Sequence, residues 1–199
     1  MTPFRTNVRK DKRDAAVLPF RLKKTVALVG MMGAGKSAIG IALARQLDVP
    51  FLDSDAEIIA ASSMSIAEIF ERDGEAFFRL KESQVIQRLL MTEQGILSTG
   101  GGAYLFEGNR ATISQYGIAV WLRADLELLW QRVRHKKTRP LLLTDNPRAS
   151  LAALYDQRVP EYAKADIAVD AHPDYSIEQM TDRVLKRLLE RPDVLEELE

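Results

Sequence analysis

The chain has 199 residues, enough for one domain, and its 46% hydrophobic and 28% charged residues are the balance of an ordinary globular protein in water. It has no cysteine, which excludes disulfides, thiolate metal sites and sulfur redox chemistry and suits a reducing, cytoplasmic setting. Net charge is zero, yet residues 1–24 carry eight Lys or Arg against two Asp, which leaves the remainder net acidic by six.

In chain order, that basic arm comes first. No aromatic residue interleaves with the basic ones at 5–13, so it reads as a solvated, disordered arm rather than a nucleic-acid contact. It lacks the apolar core of a secretory signal, and Asp11 and Asp14 count against an organellar transit peptide. The longest uncharged apolar run, 26–35, is too short for a bilayer and contains three glycines, so no membrane association is expected. Next, TVALVG reads as a buried parallel strand and KSAIGIALARQL as a helix. VPFLD is a second strand and AEIIAAS a short helix. The stretch 65–90 divides at Asp73-Gly74 into two helices; Ser65 with Glu68 forms a capping-box pattern, and the second helix carries Arg79 outward from a Phe pair.

GILSTGGG is a third strand running into three glycines. NRATISQYG reads as helix and GIAVWL as a fourth strand. LELLWQRVR is helical, with Asp125 as its cap, and the basic, Pro-punctuated HKKTRPLLLTDNPR is a loop. A helix over 148–159, a strand over 166–170 and an amphipathic helix from Ser176 close the pattern, with RPDVLEELE as a frayed acidic end. Strands alternating with helices imply a parallel sheet covered on both faces. The expected division is an arm at 1–24, one α/β domain at 25–190 and a tail at 191–199.

GMMGAGKS, residues 30–37, matches G-x-x-x-x-G-K-[ST] with a strand before it and a helix after. Backbone N–H groups folded inward by glycines, together with a helix N-terminus, make a cradle for nucleotide phosphates. Lys36 would reach the β- and γ-phosphates and Ser37 a magnesium ion. Asp53 and Asp55, two apart at the end of a strand, would share a face of the ligand crevice. Two carboxylates beside a phosphate cradle call for magnesium at one and a hydroxylated acceptor at the other. A competing reading makes Asp55 the cap of a helix starting at Ala56. The glycines at 100–102 let a ligand approach the main chain. Arg79, Arg139 and Arg158 could supply one phosphate clamp and two partners for an anionic substrate.

Taken in order, GMMGAGKS, FLDSD, GEAFFR, STGGG, TRPLL and QRVPEY resemble the motif series of shikimate kinases over residues 25–170. The resemblance implies a three-layer P-loop kinase fold like that of nucleoside monophosphate kinases, with a five-stranded parallel sheet and a mobile lid at about 134–147. It implies ATP-dependent phosphorylation of the 3-hydroxyl of shikimate, with ATP as co-substrate, magnesium as cofactor and a monomer as the working unit. By matching position, residues Gly33, Ala34, Gly35, Lys36, Ser37 and Ala38 would hold ATP. Arg132 would pack on the adenine and Arg139, from the lid, would reach the phosphates. Ser37 and Asp53 fall on the metal positions. Asp55, Arg79, Gly101, Gly102 and Arg158 fall on the acceptor positions, the two arginines gripping its carboxylate. Lys36, Asp55 and Arg139 are the implied catalytic groups. Ala38 and Ile41 depart from residue types common in the family at those positions, both outside the G-x-x-x-x-G-K-[ST] match at 30–37. The remaining alternatives are a kinase of another hydroxy acid such as gluconate and a kinase-like module that senses shikimate or ATP without turnover. A nucleic-acid-dependent NTPase would want acidic residues ending a second strand, where only Asp125 stands.

Overall fold

The computed structural model describes residues 20–135 and 140–198. Most of the arm and the lid positions 136–139, Arg139 among them, lie outside the described residues.

The elements are β1 (Phe20–Leu22), β2 (Thr25–Val29), α1 (Lys36–Leu47), β3 (Phe51–Asp53), α2 (Ser54–Ser62), α3 (Ile66–Thr92), β4 (Ile96–Ser98), α4 (Glu107–Tyr116), β5 (Gly117–Arg123), α5 (Leu126–Val133), α6 (Pro147–Tyr162), β6 (Ile167–Asp170), α7 (Ile177–Leu189) and β7 (Leu195–Glu197). Strands β2 to β6 form one sheet in the order β3-β4-β2-β5-β6, with every pair parallel. All five residues of β2 are buried, and so are the first six of β5, which is why both segments read as unbroken apolar runs. The expected five-stranded parallel sheet is present.

The path of the chain through this sheet decides where a ligand can sit. From β2 it moves toward one edge to reach β3, then returns past β2 to β5 and β6 at the other. Right-handed crossovers therefore put α1 on one face and α2 to α6 on the other. After β6 the chain turns back and α7 packs beside α1. This gives three layers. The reversal opens a crevice at the C-terminal ends of β2, β3 and β4, the place where open parallel sheets bind ligands.

Local signals fix most helix starts. Ser65 and Glu68 form the expected capping box, Asp125 accepts from Leu128 N–H at 2.7 Å, and Ser176 with Gln179 forms a second box. Gly74, at φ 82° and ψ 170°, breaks α3 where Asp73-Gly74 was expected to. Beside the main core, Ile58, Ile69 and Phe78 make a small separate cluster that ties α2 to the first half of α3.

The two chain ends differ from expectation. Residues 20–24 were assigned to the arm and 191–199 to a frayed tail, but β1 and β7 pair antiparallel, Phe20 opposite Glu197 and Leu22 opposite Leu195. Val194 and Leu195 are buried, Lys23 N–H donates to Val194 O at 2.7 Å, and Arg21–Glu196 and Lys24–Asp193 ion pairs flank the ribbon. Two three-residue strands far apart in sequence carry no periodicity, so pairing at this separation is invisible in either segment alone. The lid span expected at 134–147 is also partly regular, with a 3-10 turn at Pro140–Leu142 and Pro147 opening α6.

Truncation before Asp193 removes the burial of Val194 and Leu195, at about 1.5–3 kcal/mol each. The expected result is a loss of about 3–6 kcal/mol in urea unfolding. A midpoint unchanged from the full chain would show that the ribbon is ornamental.

Candidate active site

Residues 30–37 curl from the end of β2 into α1. Gly35, at φ 98°, occupies the N-cap of α1, and no side chain caps that helix. The first-turn N–H groups are thus left for an anion. Lys36 Nζ meanwhile donates to the carbonyls of Gly30 at 2.7 Å and Met31 at 3.1 Å, within its own loop. Arg132 donates to Gly33 O at 3.2 Å and Ala34 O at 3.4 Å, and burial lowers its pKa. A cavity of about 530 Å³ lies over this loop; Gly33, Gly35, Ser37 and Ala38 line one side and Arg132 another. Ala34 is buried beneath it.

Asp53 and Asp55 do share that cavity, but not through strand alternation. β3 ends at Asp53, and Asp55 stands in the first turn of α2. The cap falls on Asp53 rather than Asp55: Asp53 Oδ1 accepts from the N–H groups of Asp55 at 3.0 Å and Ala56 at 3.2 Å. A carboxylate just before a helix satisfies two orphan donors, and that preference ends the strand early. The other oxygen, Oδ2, faces Ser37 Oγ at 3.5 Å, and Ser37 Oγ is 3.4 Å from Ser98 Oγ. The β3–β4 register, which sets Asp53 opposite Ser98, builds this oxygen cluster.

Beyond β4 the glycine turn is where charged side chains converge on the backbone. A methyl group at position 100 would stand 2.8 Å from both Asp55 Oδ1 and Glu82 Oε1, and one at 102 would stand 2.5 Å from Arg79 Nη2. A methyl at 101 would sit 3.5 Å from Arg158 Nη1. At Gly100 and Gly102 the tips of these charged side chains thus come directly against the backbone, and a larger residue would displace them. Gly100 and Gly101 line the cavity; Arg79, Gly102 and Arg158 stand beside this turn rather than on the cavity wall.

Arg79 was expected to point outward, and it does not. Its guanidinium lies over the Phe78 ring at 5.2 Å and near Phe106 at 6.0 Å, and it pairs with Glu82 at 2.8 Å and Glu75 at 3.2 Å. Burial works against its charge, but the two carboxylates outweigh burial and raise its pKa. Arg158 is only 6% exposed, and its Nε has no partner among the described residues.

Sequence reasoning missed two groups. Glu82 is 1% exposed, with Oε2 on Arg79 and Oε1 without a hydrogen-bond partner among the described residues. Its signal was the i,i+3 spacing from Arg79 within FFRLKE. Tyr175, Ser176, Ile177 and Met180 line the far end of the cavity, and the signal was a loop leaving the C-terminal end of a fifth parallel strand.

Burial raises the Glu82 pKa above its usual 4.5, with Arg79 opposing and the Asp55 charge adding to the rise. A carboxyl whose folded pKa is raised binds its proton more tightly in the native state. Its contribution is present below the unfolded value and is lost as pH rises through the folded one. In Glu82→Gln that dependence disappears, so the stability of the wild type relative to the variant should fall as pH is raised from about 4 to about 7. Urea midpoints across that range test it, and a difference growing with pH would contradict it.

The family model described as shikimate kinase matches residues 32–189. A shikimate kinase of Ruegeria pomeroyi is 64% identical over 175 residues, covering 88% of this chain and 90% of that one. Another, from Cereibacter sphaeroides, is 59% identical over 188 residues and covers 94% of each. The solved structure of a shikimate kinase from Acinetobacter baumannii in complex with shikimate superposes with a TM-score of 0.80 at 37% identity, covering 84% of this chain and 93% of that chain. By this family match and these relatives, which agree with its phosphate loop and sheet order, the chain belongs to the shikimate kinase family.

Proposed function

We propose that this chain transfers the γ-phosphoryl group of ATP to the 3-hydroxyl of shikimate, giving shikimate 3-phosphate for aromatic amino acid biosynthesis. The observation that carries the acceptor is the convergence of Arg79 and Arg158 on a glycine turn that also touches Asp55, next to a phosphate loop. Two guanidiniums suit a carboxylate, and a carboxylate such as Asp55 suits ring hydroxyls.

In this reading the α1 N-terminus and the loop N–H groups bind the triphosphate, and Lys36 exchanges its loop carbonyls for charged phosphate oxygens, which are stronger acceptors. Arg132 can leave its carbonyls in the same way to reach the nucleotide. Ser37 and Asp53 supply the hard oxygen donors that magnesium prefers, and their separation of 3.5 Å at the cavity floor fits that use. When bound, the ion would neutralise charge on the phosphates. Asp55 orients the acceptor hydroxyl toward the γ-phosphorus and can take its proton. Phosphoryl transfer has a loose transition state, so positioning outweighs proton removal. Arg139, outside the described residues, is the proposed lid cation at the phosphates. We read the enzyme as a cytoplasmic monomer. A gluconate-type acceptor also offers the paired arginines a carboxylate, so what favours shikimate over it is the likeness to shikimate kinases at 59% and 64% identity, and an intact Lys36, Ser37 and Asp53 speaks for turnover over sensing.

Purified protein should turn over ATP with shikimate and give little rate with gluconate or nucleoside monophosphates in a coupled assay; equal rates across the panel would overturn the substrate. Arg79→Lys removes a bidentate grip worth about 1.5–3 kcal/mol. The shikimate KM should rise about tenfold to a hundredfold while the ATP KM stays put. An unmoved shikimate KM would take Arg79 out of the site.

A further inference from the structure

Tyr162 has no part in the reading above, yet it lies behind the acceptor side of the site. It is fully buried at the last turn of α6, on the helix face that also buries Leu151 and Arg158. Its spacing from Arg158 is i,i+4, so the two side chains are neighbours. The ring stacks near Trp121, with centroids 6.2 Å apart. Its hydroxyl donates to the carbonyl of Gly101. Burial pushes the phenol pKa up to about 12, and the Arg158 guanidinium acts on the same group in the opposite direction. At neutral pH the phenol is therefore a proton donor.

Two further observations give this hydroxyl consequences. Gly101 belongs to a turn without side chains, so packing cannot set the direction of its peptide groups, and a hydrogen bond to its carbonyl can. Arg158 has no partner at Nε among the described residues, so its buried guanidinium lacks that anchor. The Nη1 end lies near Gly101, where the phenol also reaches.

We propose that Tyr162 is a positioning residue for the acceptor: its hydroxyl fixes the Gly101 carbonyl, and with it the direction of the glycine turn and the seat of Arg158. The inference rests on the reading of Gly101, Gly102 and Arg158 as acceptor contacts. Tyr162 touches neither nucleotide nor acceptor and acts through those groups. Its effect is thus specific to one substrate, which a purely structural tyrosine would not produce.

Tyr162→Phe keeps the ring and deletes only the oxygen. The expected result is a shikimate KM raised about fivefold to twentyfold, with the ATP KM within about twofold. KM is a property of each folded molecule, so it remains readable if the variant is partly unfolded, when only apparent kcat falls. A double variant with Arg158→Lys should raise the shikimate KM by clearly less than the product of the two single effects, because both disturb one cluster. Wild type assayed alongside separates the two levels. No turnover of shikimate by wild type would remove the substrate reading itself. Turnover by wild type with an unchanged shikimate KM in Tyr162→Phe, or strictly multiplicative effects in the double variant, would overturn the positioning role alone.

Discussion

Everything on the acceptor side depends on an ion pair that the fold has taken out of water. Arg79 and Glu82 meet at 2.8 Å with the glutamate almost wholly buried, and the backbone at 100–102 runs directly against both. A charge pair removed from solvent is strongly destabilising to break, because either partner alone is left uncompensated. The guanidinium is therefore held in one place while part of its donor capacity remains for something else. The glycines fit this arrangement: with a methyl at 100 or 102 the tips of Asp55 and Glu82 or of Arg79 would have to move from where they stand.

On the donor side the same problem, charge beside charge, is handled by dividing the work of single residues. Asp53 gives one oxygen to the start of α2 and turns the other toward Ser37. Capping holds the carboxylate still without neutralising it, so the second oxygen keeps its charge for a cation. Lys36 and Arg132 rest on loop carbonyls, which are neutral acceptors that a phosphate can outcompete.

How much of this was legible beforehand follows from the range of each signal. The phosphate loop, the capping box at Ser65, the helix start at Ser176 and the break at Gly74 are local, and each appeared where the sequence placed it. The five parallel strands were readable as short apolar runs and their number in one sheet came with the family resemblance, but the order β3-β4-β2-β5-β6 was not readable from periodicity. Asp53 and Asp55 were brought to the right cavity for the wrong reason, because helix capping ended the strand two residues early. What stayed hidden is the direction of Arg79, for which the local spacing to Glu82 was a signal and the distant Phe106 ring was not, and the long-range reach of Tyr162 to Gly101, 61 residues away. The β1–β7 ribbon belongs with these, since neither strand carries a pattern of its own.

That ribbon also has a consequence for the topology of the molecule. Because Phe20 lies opposite Glu197, the first and last paired residues of the domain are neighbours across a single ladder rung. Adjacent ends are the condition under which a chain can be closed into a circle and reopened elsewhere. The order of elements is then one of several cyclic orders compatible with the same sheet. The phosphate loop, which follows the first strand of the main sheet, could equally stand in the middle of such an order without any strand changing its neighbours.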